Sequence, residues 1–170
     1  MNPTTTKAMA KNTGFTLIEF VIVIVLLAIL SATAYSKFVN LQTNSRIAAL
    51  NGLRGGMVSA SHMLHGKSAS LGLERLASST VTIEGDNIEV AYGYPIAQNS
   101  ESWALLLETT TSDAIWGNDN TDWYFSNSAD DGTIIYAPES RRLESDNCYI
   151  EYTEATSTAL PSFIITNTGC

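Results

Sequence analysis

Sixteen consecutive residues, Phe15–Leu30 (FTLIEFVIVIVLLAIL), are apolar except for Thr16 and Glu19, and softer residues extend the run to 21 at Tyr35. At about 1.5 Å per helical residue such a run spans about 30 Å, the hydrocarbon thickness of a bilayer. Water is a poor solvent for this segment, so it belongs in lipid or under other protein. Residues 1–14 (MNPTTTKAMAKNTG) carry Lys7 and Lys11 and no acid. Lysines retained on the cytoplasmic side place residues 36–170 outside. With one long apolar run the chain is not a multi-span membrane protein, and an apolar content of 45% excludes a disordered tail.

Charge is divided unevenly along the chain. Residues 15–73 have a net charge of +3 and residues 74–170 a net charge of -13, giving a mildly basic stem and a strongly acidic head. No nucleic-acid partner is expected for such a head, because affinity for nucleic acid comes from cationic side chains on phosphates.

A secretory signal peptide is the ordinary reading of a basic leader before an apolar run, and Ala32-Thr33-Ala34 mimics its cleavage site. Two features oppose it: the run is longer than such signals use, and Glu19 lies inside it. An acid at the centre of a membrane helix costs about 2.5–3.5 kcal/mol on insertion scales, so it marks a function and needs a cation.

Gly14-Phe15-Thr16-Leu17-Ile18-Glu19, with its basic leader and apolar continuation, resembles the class III signal of type IV pilins and their relatives. The resemblance implies that a prepilin peptidase/N-methyltransferase cuts between Gly14 and Phe15 and methylates the new Phe15 amine. The leader 1–14 is then lost, and helix 15–35 is kept as the single span in the bacterial inner membrane and later as the core of an extracellular pilus. The implied partners are the pilus assembly machinery and other copies of the chain in a helical filament. An α-amino group is cationic at neutral pH, and monomethylation leaves it so. In this family the Glu19 carboxylate is expected to meet the Phe15 amine of a neighbouring copy, which lowers the cost of the charge and sets axial register. Many type IVa pilins have proline where this chain has Ser36 and glycine where it has Ala28, so a straighter first half is expected.

Leu50, Leu53, Met57, Ala60 and Leu64 recur at spacings of three and four, one apolar stripe of an amphipathic continuation over 36–66. Gly52, Gly55 and Gly56 predict a bend or a close approach to another backbone, and Gly66 a stop. A helix over 15–65 would be about 76 Å long. A head of this size cannot cover it, so polymerisation follows.

The expected fold class is α+β: the resemblance implies a type IV pilin fold, with the long N-terminal helix packed on a four-stranded antiparallel sheet. In the connecting region 67–120, Thr80–Glu84 and Ile88–Tyr92 flank a Gly85-Asp86-Asn87 turn, and Asn99 or Ser100 caps a short helix through Trp103, Leu106 and Leu107. In 121–170 the strands are Asp122–Ser126, Thr133–Ala137, Asn147–Tyr152 and Ser162–Thr166, with Pro138 ending the second. Cys148 and Cys170 are the only cysteines, and in an exported head an even pair reads as a disulfide. The resemblance matches a C-terminal disulfide loop of this kind, over 148–170. Within it Cys148-Tyr149-Ile150-Glu151-Tyr152-Thr153-Glu154-Ala155, together with Phe38-Val39-Asn40-Leu41-Gln42, is similar to the mannose-sensitive haemagglutinin pilins.

Other candidate sites are weaker. His62 and His65 read as two solvated side chains, with no third metal ligand at a set spacing. Asn118, Asp119, Asn120, Asp122, Asp130 and Asp131 offer calcium-type oxygens without EF-hand order, and turn acids are the favoured reading, so no cofactor is expected. Trp103, Trp116 and Trp123 would suit either a sugar shelf or a core. No nucleophile elbow, P-loop or metal motif is present, and catalysis is not expected. The function implied is a structural subunit of an adhesive type IV pilus; the alternative is a pseudopilin of a type II secretion system.

Overall fold

The computed structural model describes residues 14–117, 120–128 and 132–170. The chain divides into two compact units, Met1–Leu41 and Gln42–Cys170. One helix, α1 (Leu17–Ser70), runs through both as 54 residues without a break. In the first unit every side chain of the apolar run, from Phe15 to Leu30, is exposed.

In the second unit α1 buries Leu50, Leu53, Met57 and Leu64, the stripe read from their spacing. The helix does not stop at Gly66. Buried Ser68 bonds back to the Leu64 carbonyl at 2.9 Å, and the chain leaves the helix at Gly72, whose φ of +71° suits glycine best. The amides of Gly72 and Leu73 there donate to Ala69 and Ser68 at 3.1 and 3.0 Å. Nor do Gly52 and Gly55 lie under another backbone: a Cβ at either would meet nothing, and one at Gly56 only the Leu107 side chain at 3.9 Å.

Three strands, β1 (Ser79–Ile83), β2 (Asp86–Ala91) and β3 (Tyr94–Pro95), form a small antiparallel sheet. The turn between β1 and β2 is Glu84-Gly85, at φ +53° and +103°, one residue earlier than the sequence suggests, so Asp86 and Asn87 pair instead of turning. Two consecutive positive φ values match the twist of a tight hairpin. Val81, Ile88 and Val90 close over Leu64 of α1. A π-helical turn at Asn99–Trp103 then runs into the one-turn helix α2 (Ala104–Leu106).

The larger sheet has five strands, not four, in the order β4 (Thr111–Asp113), β5 (Trp123–Ser128), β6 (Thr133–Ala137), β7 (Tyr149–Thr153) and β8 (Ser162–Thr166). β5 to β8 are antiparallel, and β4 joins β5 in parallel, making the sheet mixed. Three polar residues give β4 no alternation to read; its place comes from a tertiary tie described below. Register aligns Phe125, Tyr136, Ile150 and Ile165 in one row and Ile134, Tyr152 and Phe163 in the next. These rows pack on Leu50, Leu53 and Met57 with Trp103, which stands edge-on to Tyr152 at 4.6 Å between ring centroids. The fold is α+β and consistent with a type IV pilin fold.

Candidate assembly site

At the entrance to α1, Gly14, Phe15 and Thr16 lie outside the helix and are exposed. The first turn is closed by a reciprocal cap. Glu19 Oε2 accepts from the Thr16 amide and from Thr16 Oγ1, each at 2.8 Å, and the Glu19 amide donates back to Thr16 Oγ1 at 3.3 Å. This is the T-x-x-E capping box, which satisfies otherwise orphaned first-turn donors. The T-x-x-E spacing of Thr16 and Glu19 is visible in the sequence. Both oxygens of the carboxylate are not consumed: among the described residues no hydrogen bond reaches Oε1. A Cβ on Gly14 would meet nothing, so the fold of the subunit does not require glycine there.

In the second unit Cys148 and Cys170 form a disulfide with a Cα–Cα distance of 4.8 Å. Both sulfurs sit in the core with Leu50, Met57, Trp103, Tyr136 and Tyr152, so the loop is anchored to the helix-facing side of the sheet. Two buried tyrosines complete that side. Tyr136 Oη donates to Asn99 Oδ1 at 2.7 Å and Tyr152 Oη to the Pro95 carbonyl at 2.6 Å. Burial pushes both phenols far above the ordinary tyrosine range, and for Tyr152 the charges of Glu154 and Tyr94 add to the effect. Arg46 ties α1 to the loop through Cys170 and to the turn after β6 through Ser140. Nothing in the sequence distinguishes Arg46 from other helix cations.

Residues 9–35 match the family described as the prokaryotic N-terminal methylation motif. That motif, at the entrance of a long apolar helix, fits a type IV pilin-like protein. No curated protein and no solved structure matches it. Family members of this kind are structural subunits and not enzymes, and the motif implies processing by a prepilin peptidase and pilus-type assembly. With the apolar helix it marks a membrane-anchored precursor.

The remaining candidates separate in space and role. Asp119, Asp130 and Asp131 lie outside the described residues. Asp122 is a tie: its Oδ2 accepts from Thr110 Oγ1 at 2.7 Å, the Thr110 amide at 3.0 Å and Thr109 Oγ1 at 3.2 Å, which holds β4 beside β5. The Thr110 and Thr109 hydrogen bonds hold its carboxyl below the usual aspartate value. His62 is exposed, as expected, whereas His65 is half-buried. It stacks on Tyr94 with ring centroids 4.1 Å apart, because Gly93 has no Cβ to occupy the space of its imidazole. Trp103 belongs to the core, Trp123 is half-buried and Trp116 is exposed, so the three do not make a common shelf.

Proposed function

We propose that this chain is the structural subunit of a type IV pilus, polymerising through α1 into an adhesive surface fibre. The observation that carries the proposal is the unbroken apolar surface of α1 from Phe15 to Leu30, exposed on every side in the single subunit. Such a surface needs lipid before assembly and neighbouring helices afterwards, and the same side chains serve in both. Leader removal between Gly14 and Phe15 would place a methylated, cationic amine next to the helix cap. Glu19 is poised for two roles: Oε2 closes its own first turn, and Oε1 is left for the Phe15 amine of an adjacent copy. That pairing would set how far each incoming copy is inserted.

The pseudopilin alternative shares the N-terminal chemistry. The disulfide loop built into the core supports the pilus reading, as does the resemblance of the Cys148–Ala155 stretch to mannose-sensitive haemagglutinin pilins. Imaging cells with and without the gene, while assaying attachment and protein secretion, tests the choice. Loss of long fibres and attachment with normal secretion is expected; loss of secretion alone would establish the pseudopilin reading instead.

A further inference from the structure

The two edges of the five-stranded sheet are unlike. β4, at one edge, is three polar residues ending in the acid Asp113, a short charged edge of the kind that resists pairing with another chain. β8, at the other edge, is Ser162-Phe163-Ile164-Ile165-Thr166, uncharged and paired to β7 in continuous register without a bulge. Among the described residues no main-chain group of β8 bonds to anything but β7. Its outer row of N–H and C=O groups is therefore open to water or to another strand, with none of the usual protection.

The side chains of β8 match a second copy of themselves. Ile164 is 54% exposed, and Phe163 and Ile165 on the opposite face are only half-buried although both pack on the core. Read in reverse, S-F-I-I-T becomes T-I-I-F-S. Laid antiparallel on an identical strand about Ile164, β8 sets Ser162 against Thr166, Phe163 against Ile165 and Ile164 against Ile164. Hydroxyl pairs and aromatic–branched pairs are among the cross-strand neighbours that stabilise a sheet. The edge is thus complementary to itself in pattern as well as in hydrogen bonding.

Charge allows the two copies to meet there. Residues 74–170 carry a net charge of -13, yet residues 155–170 contain no charged side chain at all. Two acidic heads repel unless they meet through such an uncharged strip. The acid in register with Ile164 is Glu151 of β7. In a β7-β8-β8-β7 array the two Glu151 residues would stand three strand spacings apart, roughly 14 Å at about 4.8 Å each. That exceeds the Debye length of about 8 Å at physiological salt, so their repulsion is screened.

We propose that β8 pairs antiparallel with β8 of a second copy, joining two heads edge to edge. The contact is two-fold, whereas copies along one fibre follow one another by a screw, so the pair links copies in two neighbouring fibres and holds them side by side. The proposal rests on the filament reading and adds lateral association to it.

The test uses fibres assembled by cells. By electron microscopy native fibres should lie in side-by-side bundles at about 0.15 M salt and disperse at about 0.01 M, where the Debye length grows to about 30 Å. Ile164→Lys and Ile164→Glu each put two like charges directly opposite one another at the centre of the pair, which is destabilising. Because Ile164 is exposed, both variants should form single fibres in normal number, and both should lose the bundles. Mere repulsion between acidic heads predicts the opposite for lysine, which would bundle more. Ile115→Lys, exposed in the turn after β4 at the other edge, should bundle as the native chain does. A short thiol cross-linker should turn bundled Ile164→Cys fibres into dimers and Ile115→Cys fibres into none. Native fibres that stay single at physiological salt, bundles that survive Ile164→Lys, or bundled Ile164→Cys fibres that give no dimers would overturn the edge pairing and leave the filament reading standing. A native chain that forms no fibres sinks both.

Discussion

Arg46 holds Cys170: its Nη1 donates to the main-chain oxygen of Cys170 at 2.6 Å, while Nε donates to Ser140 Oγ at 2.9 Å. One guanidinium thus joins α1 to the disulfide loop across 124 residues of sequence and to the turn after β6. The tie therefore fixes this part of α1 against the disulfide loop within the second unit.

Arg46→Ala should destabilise the head by about 1.5–3 kcal/mol, the usual worth of a hydrogen bond to a charged group. Melting of the detergent-dissolved subunit should fall by roughly 5–15 °C. Arg46→Lys should recover only part of the loss, because an ammonium cannot present the two-pronged geometry. An unchanged melting temperature in Arg46→Ala would show that the tie contributes nothing.

Replacing Cys148 and Cys170 together by serine should cost roughly 3 kcal/mol from the released loop of about 23 residues. Because both sulfurs sit in the core, the two hydroxyls add a burial cost. Cleavage after Gly14 should proceed normally, as it needs only the N-terminal segment. Thiol alkylation of the native mature subunit should find no free cysteine, and intact mass should place its N-terminus at methylated Phe15.

What the sequence made legible followed from periodicity. Leu50, Leu53, Met57 and Leu64 repeat on a helical face, and strands β5 to β8 alternate or cluster aromatic and branched residues strongly enough to be read one by one. Elements set by tertiary ties were not legible. β4 has no pattern of its own and exists through Asp122, and the stacking of half-buried His65 on Tyr94 depends on a glycine 28 positions away. Gly66 failed as a stop because a lone helical glycine costs only about 1 kcal/mol, less than the burial of Leu64 and Ser68 returns.

Asp122→Asn should make the head less stable at neutral pH, through loss of the charged acceptor that holds Thr109 and Thr110. The native carboxyl is lowered from 3.8 on folding, so its contribution is present above that value and is lost as pH falls through the lower folded-state value. The melting difference between native and variant heads should therefore be constant above about pH 5 and shrink in stronger acid. A difference that grows on acidification would refute the assignment. Chelation of divalent cations should leave both melting curves unchanged, since the one described acid of the candidate calcium set already serves backbone and hydroxyl donors.

Glu19 offers the sharpest separation of roles, between the cap its Oε2 makes with Thr16 and the proposed pairing of its charge with a neighbouring copy. Glu19→Gln keeps an oxygen that can accept from Thr16, and glutamine is a normal member of the capping box, so the first turn of α1 should stay closed. What it loses is the charge that would pair with the Phe15 amine of a neighbour. Glu19→Ala loses both, at about 1 kcal/mol for the cap alone. Each variant should insert into the membrane at least as well as the native chain, since an acid has been removed from the apolar run. Membrane fractionation and intact mass should show both processed and inserted, and electron microscopy should show neither forming fibres. Normal fibres from Glu19→Gln but none from Glu19→Ala would mean that the cap, and not the intersubunit charge, is what assembly requires of this residue.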